Sequence, residues 1–443
     1  MNILIQNGRV IDPASGFDHI ADVAVADGHI VAIVKNDAQA GEKLPANFKA
    51  EQTIDAKGCI VAPGLVDLQV RLREPGYEHE GLLASELTAA VAGGVTSLVC
   101  PPDTDPVLDE PGLIEMLKFR AEKLHRARVF PLGSLTRGLK GEVLTEMSDL
   151  TDAGCVGFSQ AEVPLENTQV LQRALQYAAT FGYTVWLRPQ DMHLGKGVAA
   201  SGPLATRLGL SGVPVAAETI ALHTIFALMR ATRARVHLCR ISSAEGVELV
   251  RAAKQEGLAV TADVSINSLH LSDHDIGYFD SRARVTPVLR QQRDRDALRA
   301  ALADGTLDVL VSDHTPVDVD AKALPFAEAE PGATGLELLL SLSLKWAHDS
   351  KVSLLRALEV LTSQPAKVLG KVQGQSDSLG RLHMGGVADL VVFDPAAEWQ
   401  VTPDALHSQG KHTPFAFDMT GMVLPARVKA TLVAGRVAYQ AAE

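Results

Sequence analysis

Eight short apolar runs alternate with helix-like segments through the middle of the chain, and this alternation constrains the fold more than any other feature. The clearest helix-like segments, amphipathic or rich in alanine, are 110–125, 167–181, 218–233 and 244–256. The apolar runs are 65–72, 97–102, 128–134, 154–160, 184–190, 235–242, 259–266 and 308–316. Strand–helix alternation predicts a parallel sheet, and eight units close naturally into a barrel. A doubly wound open sheet is the alternative, but it would need a glycine-rich phosphate loop after run 65–72, where the sequence has none.

Both ends of the chain follow a different pattern, with strand-like alternation and no strong helix signal. Segments 3–11, 20–25 and 30–34 alternate in this way, and the Asp27-Gly28 pair between the last two predicts a hairpin turn. Segments 388–393 and 428–437 follow the same pattern. Lone hairpins are only marginally stable, so we expect the two termini to combine. The prediction is an α/β protein, with a (β/α)8 TIM-type barrel over 61–379 and a small β-sandwich module formed by 1–60 plus 380–443.

Composition and charge limit the classes of function. The 443 residues are 47% hydrophobic and 21% charged, as in an ordinary globular protein, and the net charge of −12 argues against nucleic-acid binding. No apolar stretch approaches the ~20 residues that span a bilayer, and residues 1–10 lack a signal-peptide pattern, so we expect no membrane association. The four cysteines form no CxxC pair and lie in apolar runs, which predicts buried free thiols and a cytoplasmic location.

Polar residues stand at the C-terminal ends of the predicted barrel strands, where barrel enzymes place their chemistry. These residues are Gln69, Arg71, Arg73, Gln160, Arg188, Arg240, Asp313 and His314. Several arginines at one barrel mouth would repel one another unless negative charge lies among them. Two interpretations stay open: an anion-binding pocket, or pairing of the arginines with strand carboxylates such as Asp67, Asp263 and Asp313.

One resemblance runs nearly from end to end of the chain. Residues 66–76, V-D-L-Q-V-R-L-R-E-P-G, resemble the V-D-x-H-x-H-x-R-E-P-G signature of the dihydroorotases, within the amidohydrolase superfamily. Further matches, in order along the chain, are 92–96, 99–106, 284–287, 312–316 and 386–390. The resemblance implies the barrel with its β module, and a family that hydrolyses a cyclic amide with the help of zinc.

The metal positions that this resemblance implies hold other residues. In the family they are the two histidines of H-x-H, a bridging carboxylate or carboxylated lysine, and two later histidines. Here they fall at Gln69, Arg71, Gln160 or its neighbour Ala161, Arg188 and Arg240. An arginine stays protonated and has no lone pair to offer zinc, so we expect no metal and no other cofactor. Asp313, a ligand and proton shuttle in the family, is retained; we expect it to be inert and to form a salt bridge with Arg71 or Arg240.

Residues on the substrate side of the family site are partly retained. Arg73 matches the arginine that would bind the substrate carboxylate, although it could equally be a strut of the R-E-P-G turn. Asp103 replaces an asparagine that also contacts this carboxylate. His237 is expected to be a packed strand histidine. The candidate substrate- or anion-binding residues are therefore Arg73, Asn267, Arg71, Arg188, Arg240 and His314.

Three functions are compatible with these residues. The losses at the metal positions resemble those of dihydroorotase-like proteins that assemble with aspartate carbamoyltransferase, which implies a non-catalytic, structural or regulatory subunit in pyrimidine biosynthesis and a hetero-oligomer. The second function is an active dihydroorotase or related cyclic-amide hydrolase with a different metal arrangement. The third is a small-anion binder that uses the arginine-lined barrel mouth.

Overall fold

The computed structural model describes residues 2–36, 44–370, 378–416 and 421–442, and it begins with five strands of one mixed sheet. They are β1 (Ile3–Asp12), β2 (Phe17–Ala26), β3 (His29–Lys35), β4 (Gln52–Asp55) and β5 (Ile60–Pro63). Strands β2 and β3 form an antiparallel hairpin around Asp27 and Gly28. Both turn residues have positive φ, 49° and 81°, which a tight two-residue hairpin turn requires. The hairpin predicted at this pair is confirmed.

The middle of the chain supplies short parallel strands, and each of the eight predicted apolar runs overlaps at least one of them. The strands of this region are β6 (Leu65–Asp67), β7 (Val95–Cys100), β8 (Arg128–Pro131), β9 (Gly133–Ser134), β10 (Phe158–Ser159), β11 (Thr184–Leu187), β12 (Ala199–Ala200), β13 (Gly212–Val213), β14 (Arg235–Leu238), β15 (Val260–Ser265) and β16 (Val309–Val311). Only β12 and β13 stand apart, as a separate two-stranded ribbon. Most runs extend past their strand, so their last residues lie in the loops of the barrel mouth.

Two junctions close these strands into a barrel. The barrel strands form two sheets, β6-β7-β8 and β9-β10-β11-β14-β15-β16. The run 128–134 contains both β8 and β9 and joins these sheets, because β8 pairs with β7 and β9 pairs with β10. At the other seam, Val70 makes a parallel bridge with His314, and the Arg71 backbone N–H donates to the His314 carbonyl oxygen at 2.9 Å. The first and last strand runs therefore lie side by side, as barrel closure requires.

Helices fill the segments between the barrel strands and begin at recognisable caps. Asn167 caps the helix Thr168–Phe181 by accepting hydrogen bonds from the backbone N–H groups of Gln169 and Val170. The Ser243 side chain caps the helix Ala244–Glu256 in the same way. The α-helices are α1 (Leu83–Ala92), α2 (Pro111–Lys123), α3 (Met147–Asp152), α4 (Thr168–Phe181), α5 (Pro203–Leu208), α6 (Ala216–Thr232), α7 (Ala244–Glu256), α8 (Ile266–His270), α9 (Gln292–Asp304), α10 (Leu339–Ser350), α11 (Leu354–Glu359) and α12 (Ser363–Leu369). Short 3-10 helices span Arg137–Leu139, Asp273–Ile276, Ser281–Ala283, Asp320–Lys322, Leu336–Leu338 and Pro403–Ala405. In the described parts of the chain, no helix has the length and apolar character to cross a membrane.

The C-terminal strands return to the sheet that the N-terminus began. They are β17 (Leu390–Gln400), β18 (Val423–Val433) and β19 (Arg436–Gln440). The sheet has the order β19-β18-β17-β5-β1-β2-β3, with β4 paired in parallel to β1 off this path. The antiparallel pairing of β17 with β5 joins the two termini. This module has its own apolar core, which includes Ile5, Val23 and Leu390. The predicted fold class, a barrel with a β module built from both ends of the chain, is confirmed.

All four cysteines are buried free thiols, as the sequence predicts. Their burial is deep enough to raise the pKa of Cys100 to about 12, because desolvation disfavours the thiolate. Thiols in this state are inert packing groups rather than nucleophiles.

Candidate functional site

Three guanidinium groups meet at one carboxylate in the barrel mouth, and that carboxylate belongs to Glu162. Arg71 Nη2 donates to Glu162 Oε1 at 2.9 Å, and an Arg240 Nη2–H donates to the same oxygen. Arg188 Nε lies 2.5 Å from Oε2, close enough for an ion pair although the two atoms are not aligned for a hydrogen bond. Burial alone would raise the pKa of Glu162, but the charges of Arg188, Arg240 and Arg71 hold this pKa far below its ordinary value. Glu162 is therefore an anion at neutral pH, at the centre of the mouth.

Two further carboxylates complete the charge balance of the mouth. Asp103 Oδ2 accepts a hydrogen bond from Arg71 Nε at 2.9 Å, and Asp313 Oδ1 accepts one from Arg240 Nη1 at 2.9 Å. Burial raises the pKa of Asp313, and the positive charges of Arg240 and Arg71 partly oppose this rise. The salt bridge predicted between Asp313 and Arg71 or Arg240 is confirmed, with Arg240 as the partner.

Two of the predicted partners of the arginines are wrong. Asp67 and Asp263 lie within β6 and β15, below the mouth, so their side chains bind neighbouring strands instead of guanidinium groups. Asp67 Oδ1 accepts from the Ser312 backbone N–H at 3.2 Å, and burial raises the pKa of Asp67 to about 7. Asp263 Oδ1 accepts from the backbone N–H of Arg240 at 2.7 Å, not from its side chain.

The glutamines at the predicted metal positions are buried, and Gln160 has a structural role. Its Oε1 accepts from Thr136 Oγ1 at 3.0 Å and its Nε2 donates to the Leu139 carbonyl oxygen at 2.8 Å. These bonds tie the end of β10 to the loop that follows β9. Gln69 is 3% exposed, so it too is enclosed by protein. Gln160 does not join the arginine cluster; Glu162, two residues later, takes that place.

His314 lies outside the mouth cavity, although it was a candidate for ligand binding. Its ring is completely buried, with Nε2 2.8 Å from Glu86 Oε2. Its Nδ1 accepts a hydrogen bond from the Gly335 backbone N–H at 3.2 Å. Since Nδ1 accepts, the ring proton resides on Nε2 and is donated to Glu86. Nε2 thus ties the end of β16 to α1, and Nδ1 ties it to the backbone at Gly335, so both ring nitrogens have structural partners.

A small cavity of about 160 Å³ opens between the mouth residues. Arg73 and Asn267, the other substrate-side candidates, line it together with the Arg71, Arg240, Asp103, Glu162, Asp313 and Glu330 side chains. Arg73 also has the contacts expected of a strut, since its Nε donates to the Pro316 carbonyl oxygen at 2.8 Å and lies 2.6 Å from Glu80 Oε2. Burial lowers the pKa of Arg73, and the charge of Glu80 partly offsets this effect. Three arginines and four carboxylates line the cavity, so it carries no excess of positive charge.

The backbone at the mouth adopts the left-handed conformation at four residues that are not glycine. Arg73, Ala161, Arg240 and Asp313 have φ values of 65°, 50°, 57° and 52°. Such a conformation is uncommon for residues with a side chain and costs about 1–2 kcal/mol each. At Ala161 the left-handed turn redirects the chain, which brings Glu162 to the mouth while Gln160 remains anchored below. Strained backbone of this kind is typical of sites whose geometry the surrounding structure dictates.

The mouth residues do not fit the zinc site that the family resemblance implies. Zinc in a catalytic site typically has three protein ligands, from imidazole, thiolate or carboxylate groups. Arg71, Arg188 and Arg240 offer no lone pair, and their positive charges would oppose a dication in this enclosed space. Glu162 and Asp313 have the right chemistry, but both already accept hydrogen bonds from guanidinium groups.

A separate group of metal-capable side chains lies beneath the mouth, and within the described ranges it is the only cluster of three such residues. His237, Cys239 and Asp263 are buried, and one ligand atom of each lies within 4.8 Å of the others. The His237 ring packs against Trp186, with ring centroids 4.4 Å apart, as expected of a strand histidine. Its Nδ1 contacts Thr261 Oγ1 at 2.8 Å and its Nε2 contacts Asp263 Oδ2 at 2.9 Å. Both ring nitrogens thus have protein partners, and burial raises the pKa of the Cys239 thiol well above its ordinary value.

Comparison with known proteins identifies relatives along the full length of the chain. Two families match, one described as Dihydro-orotase-like over residues 58–246 and one described as Amidohydrolase family over residues 212–439. A dihydroorotase-like protein of Pseudomonas aeruginosa is 43% identical over 441 residues, which is 99% of this chain and 100% of that protein. A dihydroorotase of Geobacter sp. (strain M21) is 40% identical over 442 residues, which is 100% of this chain and 100% of that protein. L-Hydantoinase (dihydropyrimidinase) from Arthrobacter aurescens shares the fold with a TM-score of 0.85 at 24% identity, covering 100% of this chain and 96% of that one.

Proposed function

The chain belongs to the dihydroorotase-like proteins of the amidohydrolase family, and on this premise we propose a role in pyrimidine biosynthesis without catalysis. In this role it is a structural or regulatory subunit that supports aspartate carbamoyltransferase in a hetero-oligomer. The absence of a catalytic metal is part of the proposal.

The observation that carries this proposal is the convergence of Arg71, Arg188 and Arg240 on Glu162. Hydrolysis of a ring amide by this family depends on a metal that lowers the pKa of its bound water from ~15.7 to ~7. The groups at the mouth neutralise one another instead of leaving carboxylates and imidazoles free for a metal. Asp313, the retained family residue, is engaged by Arg240, so a guanidinium group holds the carboxylate that the family uses as metal ligand and proton shuttle.

Assembly with another protein gives the intact barrel a use that does not need chemistry at its mouth. The full-length match to a relative named dihydroorotase-like protein supports a fold maintained as a whole. A partner interface of ordinary size buries ~800 Å² on each side, which a barrel of this size can provide. Aspartate carbamoyltransferase is the partner that the family resemblance suggests.

Co-expression with aspartate carbamoyltransferase tests the assembly. We expect one larger species in size-exclusion chromatography, and a loss of carbamoyltransferase activity or stability when this chain is omitted. Asp313→Asn should retain this support, because the proposal assigns no chemistry to that carboxylate. Separate elution of the two proteins at micromolar concentration, with unchanged activity, would contradict the proposed partnership.

An active cyclic-amide hydrolase is the second candidate, favoured by the relatives named dihydroorotase and by the buried His237, Cys239 and Asp263 group. Elemental analysis and assays of dihydroorotate ring opening and closure separate the two candidates. The proposal expects much less than one zinc per chain and no rate, and no rescue by Arg71→His alone, because the other ligand positions stay unsuited. Stoichiometric zinc that is lost in Cys239→Ser would favour a metal at the buried group, and a rate that is lost in Asp313→Asn would favour the hydrolase.

A further inference from the structure

A second cavity, of about 250 Å³, lies beside the mouth cavity and shares Glu162 and Arg240 with it. We call it the side cavity. Its charged lining consists of Arg188, Arg240, Arg284, Arg290, Glu162 and Glu218. Four guanidinium groups therefore face two carboxylates in this lining, although Arg240 is also paired with Asp313, which lies outside it. The lining thus carries positive charge in a protein whose net charge is −12.

Arg284 is the clearest source of this positive charge. Its Nε is buried without a hydrogen-bond partner, and no carboxylate of the described residues forms an ion pair with its side chain. Burial lowers the pKa of Arg284, and no facing charge opposes the effect. The backbone at this position is fixed, because the Arg284 carbonyl oxygen accepts hydrogen bonds from Lys322 Nζ at 2.8 Å and from the Gly332 N–H at 3.1 Å. A positive charge is thus held at the wall of the cavity without a protein counter-ion.

The other members of the lining do not supply the missing negative charge. Both carboxylate oxygens of Glu218 are engaged by Ser242 and Ser243, through their backbone N–H groups and hydroxyls. Arg290 donates to Ser242 Oγ at 2.9 Å and to the Val213 carbonyl oxygen at 3.3 Å, so its hydrogen bonds end on neutral atoms. Glu162 is already shared among Arg71, Arg188 and Arg240.

We propose that the side cavity binds a small dianionic oxyanion of the phosphate class, contacted by Arg284 together with Arg188 and Arg290. Arg284 and Arg290 form no ion pair with the described residues, so their two positive charges match a dianion, and the planar guanidinium fork fits pairs of phosphate oxygens. The volume is below the ~300–1,000 Å³ typical of sites for drug-sized ligands, so the occupant is a small group such as phosphate. The site is distinct from the substrate-side residues Arg73 and Asn267, and it does not depend on the proposed partnership.

Calorimetric titration with inorganic phosphate, against chloride at equal ionic strength, tests the site. We expect saturable binding of one phosphate per chain. Arg284→Gln should weaken this binding about tenfold or more, because it removes a charged hydrogen-bond donor. Arg284→Lys should recover only part of the affinity, since it restores the charge but not the fork. Arg207→Gln is the matched control: Arg207 is exposed on α5 and does not line the cavity, so its loss should leave the affinity unchanged.

Three results would overturn the proposal: no saturable binding at millimolar phosphate, unchanged binding in Arg284→Gln, or an equal loss in Arg207→Gln. Malonate, a small dicarboxylate, separates a phosphate site from a general anion site, and binding as tight as that of phosphate would refute the phosphate class. Crystals of the unmodified protein soaked in phosphate need no variant. Density in contact with Arg284 would support the site, whereas density only in the mouth cavity, or none, would refute it.

Discussion

The mouth cavity and the side cavity share a wall at Glu162 and Arg240, yet their arginines are organised in opposite ways. In the mouth cavity, Arg71 pairs with Asp103 and Glu162, and Arg240 pairs with Asp313 and Glu162. In the side cavity, Arg284 has no such partner among the described residues. The number of arginines is similar in both, so the carboxylates decide what each cavity can do. A paired arginine fixes structure, and an unpaired one is available to a ligand.

Removing a charged side chain should change the free energy of unfolding in opposite directions in the two cavities. Removing one member of a buried, hydrogen-bonded ion pair leaves the other charge uncompensated, which typically destabilises a protein by about 3–5 kcal/mol. Removing a buried charge that has no partner relieves a desolvation penalty instead. Substitutions in the two cavities therefore test whether the difference in pairing is real.

The largest effect is expected for Glu162→Gln. This variant keeps the shape of the side chain but leaves Arg71, Arg188 and Arg240 facing one another, so the free energy of unfolding should fall by about 3–5 kcal/mol in urea titrations. Glu166→Gln is the matched control, because Glu166 is a solvent-exposed glutamate of the same loop, and it should change stability by less than about 0.5 kcal/mol. A loss below about 1 kcal/mol for Glu162→Gln would mean that the mouth is not held together by this carboxylate.

Asp313→Asn should have a smaller effect of the same sign. Arg240 keeps its pairing with Glu162 when Asp313 is neutralised, so only one of its two ion pairs is lost. We expect a decrease in the free energy of unfolding of about 1–3 kcal/mol, the usual contribution of one hydrogen bond to a charged group. A loss as large as that of Glu162→Gln would show that Asp313, not Glu162, is the centre of the network.

The sequence predicts the framework of the protein well because the framework depends on local patterns. Each of the eight apolar runs overlaps a barrel strand, and the Asp27-Gly28 hairpin forms where its turn chemistry requires it. The Asp313–Arg240 salt bridge is predictable for a related reason. Both residues follow barrel strands at the same end, and an arginine-rich mouth requires a carboxylate.

Sequence reasoning missed Glu162 because side-chain direction in a loop depends on one backbone torsion. The positive φ of Ala161 is not encoded by a glycine or asparagine, so nothing in the local pattern marks the turn that carries Glu162 into the mouth. The signal that could have found it is electrostatic: three arginines need a counter-charge, and Glu162 is the first carboxylate after the fourth strand. Arg284 was seen only as part of a family motif, since its lack of a partner is a property of three-dimensional packing.

The pH dependence of the protein's stability provides a further test of Glu162. The pKa of Glu162 is lowered in the folded protein. As the pH falls below 4.5, the ordinary pKa of a glutamate, Glu162 is therefore protonated in the unfolded chain before it is protonated in the folded protein. The stabilisation by Glu162 is complete above that pH and is lost as the pH decreases. The loss reaches at most about 2 kcal/mol near pH 3, and solvent screening reduces this figure because the Glu162 side chain is partly exposed. The stability difference between the unmodified protein and Glu162→Gln should therefore shrink in acid. A difference that stays constant from pH 6 to about pH 3 would contradict the lowered pKa of Glu162.

The smallest effect, and the one of opposite sign, is expected for Arg284→Gln in chloride buffer. Since this guanidinium has a buried Nε without a hydrogen-bond partner, its replacement should leave the free energy of unfolding unchanged or raise it by about 0.5–1 kcal/mol. Arg71→Gln is the matched comparison from the mouth cavity and should be destabilising, because it leaves Asp103 without the ion pair it makes with Arg71. In phosphate buffer we expect the unmodified protein to be more stable than Arg284→Gln. The reason is that a ligand that binds only the folded protein stabilises the form that retains Arg284. Destabilisation of Arg284→Gln by more than about 1 kcal/mol in chloride would mean that Arg284 is a structural arginine like those of the mouth, and the contrast between the two cavities would not hold.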